Sequence, residues 1–317
     1  MHPELFTVPF IHRAIYSYGV LMVIGFLVAV QLAQFLARRA RFNPEIFVNV
    51  GLIGLLTGIV GARLSHVIEN WPDYSRADFS FTQNLWNAVN VSSGGLTYYG
   101  GFLLGFPCCI LYGIYKKVPL KVGMDIIAPC LMIGLGFGRV GCFLNGCCYG
   151  AACDLPWAVQ YPYGSEPYIS EGRAGILKQP VPIALQASPG IDPQPISKQV
   201  AEKKGVPEST IGMLHSNSLH PAQLYSTITA FFIAAICVAM FTIRHVDGRI
   251  FAMMCMLEGP TRYILEMLRA EPAQVGSMTL SEFIGVIVFV MGVVLWVAFG
   301  FRKSMSQGGQ PSDIAFT

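Results

Sequence analysis

Residues 280–301 read LSEFIGVIVFVMGVVLWVAFGF, and Glu282 is the only charged side chain among them. A helix of about 20 apolar residues is long enough to cross the hydrocarbon core of a bilayer. Six other stretches are similarly apolar and similarly long: residues 18–37, 46–66, 96–115, 124–144, 222–243 and 250–268. The sequence therefore predicts an all-α polytopic membrane protein with seven transmembrane helices.

The composition of the whole chain agrees with this fold class. Of its 317 residues, 53% are hydrophobic and only 12% are charged, against roughly 25% charged residues in a typical soluble domain. So few charges could not solvate the surface of a soluble protein of this size. The composition excludes a water-soluble enzyme, a disordered chain and a nucleic-acid-binding protein, since the last needs clustered lysines and arginines.

The distribution of basic residues predicts how the chain crosses the membrane. The loops on the side reached after the first, third, fifth and seventh spans contain Arg38, Arg39, Arg41, Lys116, Lys117, Lys121, Arg244, Arg249, Arg302 and Lys303. The short segments on the other side contain Arg13, Arg76 and Arg269. Because cytoplasmic loops are enriched in lysine and arginine, we expect the N-terminus outside and the C-terminus in the cytoplasm.

Two segments outside the spans are long enough to form structures of their own. Residues 70–93 mix aromatic and polar side chains, which is typical of an amphipathic arm lying in the membrane interface. Residues 151–219 are rich in proline and are interpreted as a small external cap, loosely structured over 193–207. The predicted organisation is residues 1–150 for helices one to four with the arm, 151–219 for the cap, 220–303 for helices five to seven, and 304–317 for a disordered cytoplasmic tail.

Charged side chains at membrane depth are costly, at about 2.5–3.5 kcal/mol each, so the few that are present indicate a site. They are Arg63, Asp125, Arg139, Glu258, Arg262 and Glu266. The arginines lie toward the outer side in the predicted topology, and their forked guanidinium groups suit phosphate or carboxylate oxygens. The alternative is that the arginines pair with the three acidic residues and only lock the helices together.

Two glycine-rich strings accompany these charges. Residues 93–101 read SGGLTYYGG, and residues 134–141 read GLGFGRVG. Glycine pairs let backbone amides approach a ligand and let a membrane helix break. The alternative is close helix packing, because Gly101 and Gly105, like Gly134 and Gly138, have GxxxG spacing.

Four strings together resemble the bacterial prolipoprotein diacylglyceryl transferase family over nearly the whole chain. Residues 138–150, GRVGCFLNGCCYG, resemble the family signature, and residues 94–101 resemble its double-glycine motif. Residues 220–225, HPAQLY, and residues 262–269, RYILEMLR, are similar to two further family motifs. The chain departs from the family pattern at Cys142, usually Asn, at Cys147, usually Glu, and at Tyr99, usually His.

The resemblance implies a reaction and its partners. In this family the diacylglyceryl group of phosphatidylglycerol, a membrane lipid, is transferred to the lipobox cysteine that follows a prolipoprotein signal peptide, which forms a thioether and releases glycerol phosphate. The enzyme is expected to be a multi-pass protein of the bacterial cytoplasmic (inner) membrane, with its active site toward the outer leaflet. No cofactor, metal or nucleic acid is expected.

The catalytic residues expected from the charges and the resemblance are Arg139, Arg262 and Tyr99. The two arginines should clamp the lipid phosphate, with Arg63 as a weaker candidate. Tyr99 is either a partial phenolate base, a donor to the phosphate or an interfacial tyrosine, and His220 is either a substitute base or a hydrogen-bonding residue at a helix start. Residues expected to bind or orient the substrate are Arg63, Tyr18, Gly94, Gly95, Gly100, Gly101, Gly138, Gly141, Asn145, Gly150, His220, Gln223, Tyr225, Glu258 and Glu266.

Four cysteines, Cys142, Cys147, Cys148 and Cys153, follow one another near the outer end of the fourth span. The outside permits disulfides, so a bridge such as Cys148–Cys153 is one alternative and free thiols are the other. Metal binding is a further alternative, although Cys-x4-Cys followed directly by Cys is not a usual zinc spacing. Two rival functions stay open at this point: an organic-anion transporter, on the buried arginines, and a membrane thiol oxidoreductase, on the cysteine cluster.

Overall fold

The computed structural model describes residues 4–8, 13–75, 80–91, 94–95, 97–179, 181–188, 192–196, 198–243, 246–269 and 278–300. The long helices in this part of the chain are α1 (Ser17–Arg39), α2 (Pro44–Glu69), α5 (Tyr98–Tyr115), α6 (Leu120–Asn145), α10 (Ala222–Thr242), α11 (Arg249–Met267) and α12 (Leu280–Gly300). The shorter helices are α3 (Trp71–Tyr74), α4 (Phe81–Val89), α7 (Glu166–Ala174), α8 (Lys198–Lys203) and α9 (Glu208–Gly212).

The architecture is that of an all-α membrane protein, and each of the seven apolar stretches of the sequence is helical. Five helices, α1, α2, α6, α10 and α12, are long and apolar enough to cross a membrane. Helix α5 contributes a shorter apolar segment over Gly100–Tyr115, and α11 contains four charged residues. The structure therefore supports five candidate spans directly, and a count of seven remains a prediction.

Helix α6 lies at the centre of the bundle, where it contacts α1, α10 and α11. The remaining long helices form two close pairs, α2 with α5 and α11 with α12. Glycines make both pairs possible: a Cβ at Gly101 would lie 2.9 Å from the carbonyl oxygen of Gly58, and a Cβ at Gly259 would lie 2.6 Å from that of Gly285. Such close backbone approach is the usual means of helix association in lipid.

One end of the bundle carries the basic loops. There the buried carboxylate of Asp125 on α6 accepts hydrogen bonds from the backbone N–H groups of Gly248 (2.6 Å) and Phe251 (2.9 Å), at the start of α11. A carboxylate stabilises a helix N-terminus because the first N–H groups lack intrahelical partners. Arg249 lies over the ring of Trp296, 4.9 Å from its centroid, so the end of α12 meets the same loops.

Two smaller structures lie on either side of the α1–α2 pair, a hairpin before α1 and the predicted arm after α2. An antiparallel hairpin, β1 (Glu4–Val8) and β2 (Arg13–Tyr16), precedes α1 and was not predicted from the sequence. The predicted arm contains α3 and α4, and its aromatic side chains Trp71, Phe81 and Trp86 are strongly exposed. An exposed aromatic face without a protein partner is what an interfacial segment requires. The arm residue Phe79 and the predicted tail 304–317 lie outside the described residues.

The cap is a folded unit, so the loose structure expected over 193–207 is wrong. It contains α7, a hairpin of β3 (Gln186–Ser188) and β4 (Asp192–Pro195), α8 and α9. Buried residues of α7, α8, α9 and the segments next to these elements and the hairpin form one hydrophobic cluster: Tyr163, Tyr168, Val181, Leu185, Ile196, Ala201, Ile211 and Leu214. Two of the prolines behind that expectation stand at element ends, where Pro195 closes β4 and Pro207 precedes α9, and proline is tolerated at such positions.

Candidate active site

A small polar cavity of about 30 Å³ lies at the end of the bundle opposite the basic loops. Its lining comes from the late part of α6, the start of α10 and the end of α11. The lining residues are Arg139, Cys148, Ala222, Ser226, Glu258, Arg262, Leu265, Glu266 and Arg269. The two predicted catalytic arginines are therefore brought together, with both predicted orienting glutamates beside them.

The guanidinium groups of Arg139 and Arg262 are available to a ligand. Neither of them donates a hydrogen bond or forms an ion pair within the described part of the chain, and the buried Nε of Arg262 has no acceptor there. A buried donor without an acceptor costs free energy, which an anion in the cavity would recover. The arrangement differs from the alternative reading, in which these two arginines only lock helices through ion pairs.

Helical spacing explains the lining of the cavity by α11. Glu258, Arg262 and Glu266 follow one another at intervals of four residues and therefore share one face of the helix. Arg269 follows just beyond the helix end, seven residues after Arg262, and its Nη1 lies 3.3 Å from Oε2 of the buried Glu266. Arg269 was not predicted as a site residue, although its spacing of seven residues, two helical turns, from Arg262 could have identified it.

Three sequence motifs meet beside this cavity: the ends of 138–150 and 262–269, and the start of 220–225. The N–H of Gly150 donates to the carbonyl of His220 (2.9 Å), and the N–H of Ala151 donates to the carbonyl of Leu268 (2.8 Å). The N–H of His220 donates in turn to the carbonyl of Ala151 (3.0 Å). A Cβ at Gly150 would lie 2.6 Å from His220 Cβ and 3.0 Å from the Leu268 carbonyl oxygen. Only glycine fits this junction, so Gly150 positions the other two motifs.

The polar residues of the 220–225 motif are engaged by the protein itself. The fully buried Gln223 donates through Nε2 to the carbonyl of Cys147 (2.7 Å) and lies 3.1 Å from the hydroxyl of Tyr161 in the cap. The Tyr225 hydroxyl accepts from Trp157 Nε1 (2.7 Å) and lies 3.4 Å from His220 Nδ1. These contacts fasten the cap and the signature loop to α10, so the structure gives Gln223 and Tyr225 a positioning role beside their predicted contact with the lipid headgroup.

Arg63 lies outside the cavity and organises the double-glycine loop. It is 5% exposed, and its guanidinium donates to four backbone carbonyls, those of Asn87, Ala88, Gly94 and Gly95. Gly94 and Gly95 have φ values of 83° and 74°, which residues with a Cβ rarely adopt. Arg63 therefore joins the arm to the loop before α5, and its predicted contact with phosphate is untested.

The remaining predicted substrate-binding residues are placed as follows. Gly100 and Gly101 lie against the α2 backbone, as the helix-packing alternative expects, and the ring of Tyr18 packs on Gly141. Gly138 is in ordinary contact with Met22, 3.6 Å from its Sδ. Asn145 is exposed at the end of α6. The side chain of Tyr99 lies outside the described part of the structure.

All nine cysteines are free, so no Cys148–Cys153 bridge is formed. The sulfur atoms of Cys142, Cys147 and Cys148 lie within 4.8 Å of one another. Hydrogen bonds from the Cys142 and Cys147 thiols lower the pKa of Cys148, and the guanidinium groups of Arg139 and Arg269 act in the same direction against partial burial. Cys148 therefore has more thiolate character than an isolated cysteine.

Comparison with known proteins gives consistent matches over most of the chain. The sequence model described as prolipoprotein diacylglyceryl transferase matches residues 3–298. A phosphatidylglycerol–prolipoprotein diacylglyceryl transferase of Clostridium tetani is 25% identical over 304 residues, which are 96% of this chain and 100% of that protein. The Finegoldia magna protein of that name is 26% identical over 285 residues, 89% of this chain and 90% of that protein. The Rhodopirellula baltica protein is 34% identical over 206 residues, 61% of this chain but only 41% of that protein.

Proposed function

The chain belongs to the prolipoprotein diacylglyceryl transferase family, and we propose that it transfers the diacylglyceryl group of phosphatidylglycerol to the lipobox cysteine of prolipoproteins. The family match supports this activity, as do relatives whose names specify phosphatidylglycerol and prolipoprotein. One structural observation carries the assignment to a site: Arg139 and Arg262 line one cavity, and neither of them donates a hydrogen bond or forms a direct ion pair among the described residues, although the neighbouring Glu258 interacts electrostatically with both.

The proposed reaction is a displacement at carbon. The sulfur of the lipobox cysteine attacks the phosphate-bearing carbon of the diacylglyceryl group, the C–S bond forms, and the bond from that carbon to the phosphate oxygen breaks. The thiol loses its proton, and glycerol phosphate leaves with the bonding electron pair. Because a thiol of pKa ~8.5 is only a few per cent thiolate at neutral pH, deprotonation costs about 2 kcal/mol.

Negative charge grows on the departing phosphate during this step. Fixed guanidinium groups beside the phosphate stabilise the transition state more than the ground state, and removing one such donor typically costs about 2.7–4 kcal/mol. We assign this role to Arg139 and Arg262, and Arg269 extends the same cationic cluster. Glu258 and Glu266 line the cavity beside them and are assigned to orienting the guanidinium groups.

The base that accepts the thiol proton has two candidates. Tyr99 occupies the position where the family pattern has histidine, and the resemblance therefore makes it the first candidate for a general base. His220 lies at the junction with Gly150 and contacts the Tyr225 hydroxyl, which favours its structural role. The pH profiles of the transfer rate in Tyr99→Phe and His220→Gln distinguish the two candidates. Only the variant that has lost the base should also lose the fall in rate at low pH, where the base is protonated.

The proposed location is the bacterial inner membrane, with seven spans and the cavity facing the outer leaflet. Two observations support it. The cavity lies at the end of the bundle opposite the basic loops, and basic loops are typically cytoplasmic. The exposed aromatic side chains of α4 lie on the same side as the cavity, since Arg63 binds that helix near the end of α2.

The test is transfer of lipid from phosphatidylglycerol to a lipobox peptide by the purified protein. Arg139→Ala and Arg262→Ala should each lower kcat/KM about 100-fold or more, whereas Arg173→Ala, an exposed arginine of the cap, should leave it unchanged. Full activity in either cavity variant would contradict the phosphate clamp. Absence of transfer by the wild-type protein with every anionic lipid tried would contradict the function itself.

A further inference from the structure

Three thiols converge just beyond the end of α6. Cys142 lies in the last turn of the helix, and Gly146, with φ 78°, ends it. Cys148 has φ 60°, a backbone conformation that is uncommon for a residue with a Cβ. These two bends within three residues return the chain toward the helix, which brings the sulfur atoms of Cys142, Cys147 and Cys148 within 4.8 Å of one another.

The backbone around these thiols is fixed by hydrogen bonds. The N–H of Cys147 donates to the carbonyl of Cys142 (3.1 Å), and the carbonyl of Cys147 accepts from Nε2 of the buried Gln223 (2.7 Å). All three cysteines are free and none of them is fully buried, and the hydrogen-bonded backbone holds their sulfur atoms close together. Such pre-organisation lowers the cost of ordering ligands around an ion.

We propose that Cys142, Cys147 and Cys148 form a three-thiolate site for one thiophilic metal ion, Zn²⁺ or Cu⁺. Thiolate ligands select these ions over Mg²⁺ and Ca²⁺. With a metal–sulfur distance of about 2.3 Å, three thiolates in a plane around one ion lie roughly 4 Å apart. This separation is within the sulfur–sulfur distances of Cys142, Cys147 and Cys148, here called the trio. Binding releases the thiol protons to the solvent. The site does not depend on the proposed transferase activity.

The residues around the proposed site suit a metal–thiolate complex with a net negative charge. A divalent ion with three thiolates carries one net negative charge, and a monovalent ion carries two. Cys148 lines the cavity together with Arg139 and Arg269, so two guanidinium groups lie beside the anionic complex. Two of the three residues, Cys142 and Cys147, are departures of this chain from the family pattern, and their spacing with Cys148 is not a usual zinc spacing, so the proposed site rests on the three-dimensional arrangement of the thiols.

Metal affinity of the reduced, full-length protein tests the proposal. The detergent-purified chain is titrated with Zn²⁺ against a chromophoric chelator, and separately with Cu⁺ under anaerobic conditions, to determine which ion binds. One ion per chain should bind, and X-ray absorption should find three sulfur ligands. Cys142→Ser, Cys147→Ser and Cys148→Ser should each weaken binding more than ~100-fold, beyond the loss typical of outer-shell changes. Cys153→Ser, also beyond the end of α6 but outside the trio, should not.

A second measurement covers variants that fold poorly. In the wild-type protein, bound metal should protect the trio from alkylation while Cys153 stays reactive. Absence of saturable binding, binding retained in Cys147→Ser, or alkylation unaffected by metal would each overturn the proposal. A disulfide between two of the trio in protein isolated without reductant would also overturn it. None of these readouts requires lipid transfer, so the two proposals fail independently.

Discussion

Among single residues, the arginines separate into two kinds by what their guanidinium groups contact. Arg139 and Arg262 line a cavity and donate no hydrogen bond among the described residues, whereas Arg63 donates to four backbone carbonyls. A buried arginine can therefore stabilise a loop or bind a ligand, and burial alone does not distinguish the two. The contacts assign Arg63 to the loop that carries the first glycine pair.

Arg63→Ala should destabilise the protein without changing its affinity for lipid phosphate. Four carbonyls lose a charged donor, which corresponds to roughly 2–4 kcal/mol of unfolding free energy. Thermal unfolding in detergent measures the loss, and Arg39→Ala, exposed at the end of α1, is the matched control. An unchanged Tm together with weakened phosphatidylglycerol binding would instead make Arg63 a ligand-binding residue.

The sequence predicted some of the site because helical periodicity and charge in lipid are local signals. Glu258, Arg262 and Glu266 share a helix face by spacing alone. A charged side chain such as Arg139 is unfavourable at membrane depth unless it contributes to a site, so its proximity to these three residues could be predicted. The contacts of Arg63 and Gln223 were not, because they join residues that are 24–32 and 76 positions apart. Long-range hydrogen bonds leave no periodic pattern in a sequence.

Between elements, the junction of Gly150 with His220 and Leu268 is the most constrained contact near the cavity. Gly150→Ala should lower transfer activity and stability, because its Cβ would overlap backbone atoms of two other motifs, and overpacking of this kind typically costs about 1–3 kcal/mol. Gly134→Ala is the control, since a Cβ there meets nothing within 4 Å. Equal effects of the two substitutions on Tm and kcat/KM would contradict the junction.

At the other end of the bundle, Asp125 connects α6 to the start of α11. Asp125→Asn removes the charge that two N–H groups contact, and it should lower the free energy of unfolding by about 0.5–2 kcal/mol. The kcat/KM of the folded protein should not change, because the residue is remote from the cavity. Glu45→Gln, exposed near the start of α2, serves as the control. A loss of kcat/KM without loss of stability would contradict this role.

For the whole molecule, the structure agrees with the predicted all-α membrane protein and supports five candidate spans, whereas the ordered elements over 193–207 of the predicted cap and the N-terminal hairpin were not anticipated. Proline content suggested a loosely structured part over 193–207, because composition does not reveal that Pro195 and Pro207 stand at element ends. The hairpin strands are too short for a clear alternating pattern. Length and hydropathy are therefore informative for spans and uninformative for small folded units between them.

The orientation of the chain in the membrane can be tested on spheroplasts, cells whose outer envelope has been removed and whose inner membrane is intact. A membrane-impermeant amine reagent should label Lys178 of the cap, whose side chain is 71% exposed, without permeabilisation. Lys116 and Lys117, after α5, should be labelled only once the membrane is opened. Labelling of Lys116 in intact spheroplasts, or protection of Lys178, would reverse the proposed topology and place the cavity at the cytoplasmic face.

The most direct measurement is a structure of the protein with phosphatidylglycerol bound. The lipid phosphate should lie in the cavity, with its oxygens at hydrogen-bond distance, about 3 Å, from the guanidinium groups of both Arg139 and Arg262. The phosphate-bearing carbon of the diacylglyceryl group should then face the outer side, where a lipobox thiol can reach it. A phosphate bound beside Arg63, or anywhere outside the cavity, would contradict the proposed site.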